Sequence, residues 1–156
     1  MPKYLLGGIF KIYMSIFISA IFISIGITME VIWTALVWFF KKRNIKFVGS
    51  TSLWMIPLYA ITPYMFYLVI KYLPNSSIFL RSLIYLMVIF LLEYIYGWIF
   101  KKILQVPLWD YSRDTEDHTG YYCKYNLKGL IALEFTPLWY IVGIIGELIY
   151  LYLLSR

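Results

Sequence analysis

The side chains with the most to say about chemistry are four glutamates, because each lies inside an apolar run: Glu30, Glu93, Glu134 and Glu147. The other four of the eight acidic residues fall together between positions 103 and 129. No Lys or Arg stands deep in the apolar runs, so these glutamates have no evident counter-ion at their own depth. A charge at the centre of a bilayer costs at least about 2.5 kcal/mol. Burial also disfavours the ionised form, so neutral glutamic acids are the expected state. Such a group does one of two things. It hydrogen-bonds a carbonyl or hydroxyl and specifies helix packing, or it lines a polar cavity for a proton, a cation or a polar headgroup. Glu147 stands near the C-terminus on a stripe with Thr136, Tyr140 and Gly143, which favours packing.

Depth separates the other three. Glu93 belongs to the segment LLEYIYGWIFKKILQVPLWDYS, Leu91 to Ser112, eight residues ahead of Lys101, or about 12 Å along a helix. Glu134 follows Gly129 by about 7.5 Å. Glu30 precedes Lys41 by about 16 Å. All three distances run inward from one face. The expectation is a polar pocket with Glu93 and Glu134 as binding groups, Asp110 at its mouth and Glu30 next to them. The run Trp109-Asp110-Tyr111-Ser112 also has a plainer reading. Trp109 and Tyr111 suit a membrane interface, and Asp110 with Ser112 suits a capped turn.

Other chemistry is poorly represented. The one histidine, His118, sits among Asp114, Glu116 and Asp117, but no second histidine stands at ligand spacing and there is no CxxC. A solvated loop is the favoured reading, and neither a metal nor a cofactor is expected. Cys123 is the only cysteine, so it has no internal disulfide partner. There is no Walker A sequence, no GxSxG and no Gly-rich phosphate loop. ATP, if used, would bind another polypeptide.

The elements that must position these groups are membrane helices. Of 156 residues, 62% are hydrophobic and 21% aromatic, more than a soluble fold of this size can cover. An all-α integral membrane protein is predicted, a single domain of about four spans at 12–40, 53–70, 81–100 and 130–154, with a long polar loop at 103–129. The first run exceeds the roughly 30 Å hydrocarbon core and must tilt or lie partly in the interface. Ser15, Ser19, Gly26, Glu30 and Thr34 share one stripe of it and should face protein. Pro57 and Pro63 should interrupt the second span. The net charge of +6 comes from basic residues at span ends, which marks anchors rather than a nucleic-acid footprint. Nine of the 14 basic residues fall on the side of the 41–46 and 101–128 connections. That bias predicts a cytoplasmic 103–129 loop with both termini opposite.

The runs Gly49–Ala60, Leu91–Leu104, Val106–Ser112 and Lys128–Trp139 resemble the ABC-transporter type IV membrane-protein family, the second half also resembling the transmembrane protein 229 family. Glu93, Gly97, Trp109, Asp110, Tyr111, Ser112, Gly129 and Glu134, in that order, carry the resemblance. It implies a polytopic helical membrane protein and supplies no catalytic residues. The expected function is a transport-related or accessory membrane subunit. Its expected partners are membrane lipids and a second copy or a partner membrane or ATPase subunit, with no nucleic acid. A membrane-embedded enzyme acting on a lipid or isoprenoid, and a non-catalytic scaffold, are the alternatives.

Overall fold

The computed structural model describes residues 3–43, 45–114 and 122–155, apart from the side chains of 3–12 and 42. Helix α1 spans Lys3–Lys42, α2 Ile56–Tyr72, α3 Ile78–Trp98 and α4 Thr136–Leu154. A two-stranded antiparallel hairpin, β1 at Asn126–Leu127 and β2 at Ile131–Ala132, precedes α4. Four helical stretches are long and apolar enough to cross a membrane: Tyr13–Lys41, Leu53–Tyr72, Ile78–Ile103 and Leu133–Leu154. The chain is an integral membrane protein.

α1 is continuous from Lys3 and, at 40 residues, runs to about 60 Å. It therefore outruns the hydrocarbon core, as its length in sequence predicts. Its polar stripe faces α2 and the segment before it. Ser19 Oγ donates to the Ala60 carbonyl at 3.1 Å. Gly26 lies directly under the Tyr59 ring, where a Cβ would collide with the ring carbons. Thr34 Oγ1 exchanges hydrogen bonds with Ser50, at 2.9 Å each way.

The two prolines of the second span differ in effect. Pro57 occupies the first turn of α2, where no backbone N–H is needed, so it starts the helix rather than breaking it. Pro63 is inside the helix and buried. The bond from Ser19 to Ala60 falls in the turn just before it, so part of the backbone disturbed by Pro63 finds its partner on α1.

α3 starts at a Ser77 cap, whose hydroxyl accepts from Leu80 N–H. It ends in a π-helical turn at Ile99–Ile103. The fourth span begins at Leu133 rather than 130, because Leu130 belongs to the hairpin turn and Ile131 and Ala132 to β2. All four helices meet around Phe66. Its ring lies 5.6 Å from Phe22 of α1, 4.7 Å from Tyr85 of α3 and 6.0 Å from Tyr150 of α4. Gly146 of α4 leaves the space that the Phe66 ring fills. Lipid gives helices little hydrophobic reason to associate, so close packing of this kind must hold them.

Candidate functional site

Glu30 of α1 and Glu93 of α3 come within electrostatic reach of each other. Glu30 Oε2 accepts a hydrogen bond from Thr51 Oγ1 at 2.7 Å and another from Tyr59 Oη at 2.8 Å. Thr51 reaches this depth because the segment after α1 folds back along it, with Gly49 against the Val31 carbonyl. No larger residue fits there without moving the backbone. Glu93 lies within electrostatic reach of both Glu30 and Tyr59. It is 7% exposed, and among the described residues no hydrogen-bond donor reaches its carboxyl group.

Gly97 stands one helical turn beyond Glu93, on the same face of α3. Its missing side chain admits Trp109 Cζ2 and Leu130 Cδ2, both 3.0 Å from where a Cβ would stand. Trp109 Nε1 donates to the Leu130 carbonyl at 2.9 Å. Trp109 is thus a pin between the hairpin and α3, a role beyond the interface anchor its type suggested.

Asp110 organises the connection instead of standing open at a pocket mouth. Its Oδ1 accepts from Ser112 N–H at 2.9 Å and also from the Ser112 hydroxyl. Its Oδ2 lies 3.7 Å from Lys101 Nζ and 3.6 Å from Arg113 Nε. Burial alone would raise the Asp110 pKa. The Ser112 donors and the two cations outweigh burial and hold it below the usual carboxylate range. Tyr111 packs edge-on to Phe135 at 5.7 Å, and its N–H donates to the Gly129 carbonyl at 2.9 Å. The hairpin turn needs left-handed backbone at Lys128, φ 55°, and at Gly129, φ 73°. Two successive positive φ values fit a type I′ turn. A Cβ on Gly129 would also strike Asp110 Oδ1.

Glu134 does not join the Glu30–Glu93 pair. It is exposed, and its Oε1 accepts from the N–H groups of Lys124 at 2.9 Å and Tyr125 at 3.4 Å. The expected meeting of three glutamates therefore loses Glu134. The reason is local. Leu133–Phe135 is a single 3₁₀ turn beside the hairpin, and the segment leading into β1 leaves the Lys124 and Tyr125 N–H groups for a carboxylate to cap.

Cys123 is buried against Ala132, with Trp33, Val37, Tyr111 and Phe135 around it. Burial, reinforced by Glu134, pushes its thiol pKa up to about 12. Lys41 at the end of α1 ties down the same connection, 3.2 Å from Asp114 Oδ1 and 3.2 Å from the Tyr122 carbonyl. His118, Glu116 and Asp117 lie outside the described residues.

The expectation that no cation meets a membrane glutamate fails at Glu147. This residue is fully buried, and Arg81 grips it in a fork, Nε to Oε2 at 2.8 Å and Nη2 to Oε1 at 2.5 Å. Tyr85 Oη donates to the same carboxylate at 2.6 Å, and Arg81 Nη1 donates to the Ser76 carbonyl. Arg81 opens the third span in sequence, and its long side chain carries the charge inward to α4. The sequence signal was one basic residue at a span start and one acid in the last span, with nothing in the chain order to pair them.

No solved structure matches this chain. The model of the family described as Putative ABC-transporter type IV matches residues 15–156, and the chain belongs to that family.

Proposed function

We propose that the protein is a transport-related membrane subunit in which Glu30 and Glu93 form an intramembrane binding centre for a cation, a proton or a polar headgroup. Tyr59 and Thr51 supply its hydroxyl groups. The observation that supports this reading is Glu93: a residue 7% exposed, its carboxyl group without a donor among the described residues and within electrostatic reach of a second carboxyl group. A buried polar group left unpaired costs about 1–3 kcal/mol. Packing alone gives no return for that cost, whereas a bound cation or shared proton does. Asp110 and Glu134 have a supporting role here. They hold the connection that Trp109 pins over the neighbouring turn of α3. With no Walker A sequence in this chain, an ATP-driven step would require a partner ATPase subunit.

The test is titration calorimetry of the purified protein with sodium, potassium and choline at two pH values. Wild type is expected to bind one of them, or to exchange protons on binding, and Glu93→Gln is expected to lose the signal. Identical heats for wild type and Glu93→Gln with all three ions at both pH values would contradict the reading.

A further inference from the structure

A second place on the molecule is built for the opposite charge. Trp98, Lys101, Lys102, Lys128 and Leu130 line a cavity of about 290 Å³ where α3 leaves its membrane span. The π-helical turn at Ile99–Ile103 carries Lys101 and Lys102, and the hairpin turn brings Lys128 beside them. Two of the three lysines are held in place. Lys101 Nζ donates to the Lys128 carbonyl at 3.3 Å and lies 3.7 Å from Asp110 Oδ2. Lys128 Nζ donates to Tyr94 Oη at 3.3 Å and stands 5.9 Å from the Tyr94 ring centre. Lys102 is exposed, and no hydrogen bond or ion pair engages it among the described residues. Among the described residues, the carboxylate that meets this cluster is Asp110, which also faces Arg113 and the Ser112 donors.

Single lysines at span ends are ordinary interfacial anchors that extend separately to water. Asp110 offsets Lys101, but Lys102 and Lys128 have no ion-pair partner among the described residues, and an anion shared between them would relieve their repulsion. The cavity lies at the end of the membrane-spanning stretch Ile78–Ile103, where headgroups are expected, and its Trp98 and Leu130 walls suit the glycerol and upper acyl region of a lipid. We propose that this cavity is a phosphate-binding site whose occupant is the headgroup of an anionic phospholipid. Lys102 and Lys128 contact the phosphate oxygens, and Lys101 contributes the field behind them. Basic pockets of this kind at helix ends hold lipid headgroups through charge-assisted hydrogen bonds. The site is independent of the Glu30–Glu93 centre.

The test is native mass spectrometry of the full-length protein in mixed micelles with phosphatidylglycerol or phosphatidylcholine, and separately with inorganic phosphate. Wild type is expected to retain phosphatidylglycerol over phosphatidylcholine. Lys102→Gln/Lys128→Gln is expected to lose that retention by on the order of tenfold or more. Lys71→Gln, at the end of α2, serves as the control and should retain lipid like wild type. Inorganic phosphate held by wild type and lost in the double variant, without preference between the lipids, would assign the same site to a free phosphate. Equal phosphatidylglycerol retention in wild type and a folded double variant would overturn the proposal. So would an equal loss in Lys71→Gln. An unchanged melting temperature of the double variant separates loss of the site from loss of the fold.

Discussion

At the scale of single residues, Glu30 of α1 and Glu93 of α3 have opposite surroundings, and substitutions should separate them. Glu30 accepts hydrogens from two hydroxyl groups, so Glu30→Ala strands Thr51 and Tyr59. It should cost about 1–3 kcal/mol of stability, read as a lower melting temperature in detergent. Glu93 gives up no hydrogen bond when replaced. Glu93→Met should hold or raise the melting temperature, because a well-packed apolar side chain replaces a costly polar one. Cys123 yields a different kind of prediction. With its thiol pKa pushed up to about 12 by burial and then by Glu134, it should react with a maleimide at pH 8 far more slowly in the folded protein than after denaturation. Equal rates would contradict its burial. The sequence marked Glu30 and Glu93 by a simple physical signal, a carboxyl group in an apolar run. The same signal misled at Glu134. An apolar run with a turn and a short strand at its start resembles an uninterrupted helix when only hydrophobicity is followed. The partners Thr51 and Tyr59 carried no mark, since a threonine in a turn and a tyrosine in a span are both ordinary.

At the scale of elements, the hairpin and the α3–α4 pair are held by different charge arrangements. The hairpin side depends on ionised Asp110. Its folded-state pKa is depressed, so its contribution is present above the ordinary carboxylate value and is lost as pH falls through the lower folded value. Asp110→Ala should remove that acid-dependent part of stability and leave the Ser112 N–H without its acceptor, at a cost of about 1–3 kcal/mol. Melting curves from neutral to acidic pH would show it as a flatter profile. An unchanged profile would mean that Asp110 is not what the connection depends on. The Arg81–Glu147 fork makes the opposite case. Removing one partner, as in Arg81→Met, leaves a buried charge and should destabilise by about 3–5 kcal/mol. Removing both, as in Arg81→Met/Glu147→Leu, should recover most of that loss. If the double variant is no better than the single, the fork is more than a local pair. The chain order made the helices readable, because apolar runs of spanning length ended at lysines and turns. It did not show the fork, whose partners are 66 positions apart, nor the hairpin, whose two-residue strands are too short for an alternating pattern.

At the scale of the whole molecule, four helices pack around Phe66, and the described parts of the connection between α3 and α4 lie against one end of α1. That connection was predicted as a polar loop. Its described parts are anchored to α1 through Lys41, Asp114 and the edge-on Trp33–Phe135 contact at 5.3 Å. Contacts of this range arise only when the folded bundle brings distant segments together, so no local pattern encodes them. The resulting molecule has a carboxyl pair inside the bundle and a lysine-lined cavity at one rim. The family assignment accords with a membrane subunit, and the proposed binding centre at Glu30 and Glu93 is the part of the account that a direct measurement must test. The most direct measurement of the central claim is infrared difference spectroscopy of the protein in lipid, adding sodium, potassium or choline in turn and then changing pH. The carboxyl signal of Glu93 is identified by its loss in Glu93→Gln. The account predicts that this signal changes on adding one of the cations or on changing pH, and that Glu30→Gln alters the response. A Glu93 signal indifferent to all three cations and to pH would contradict it, leaving the two glutamates as packing groups of a membrane scaffold.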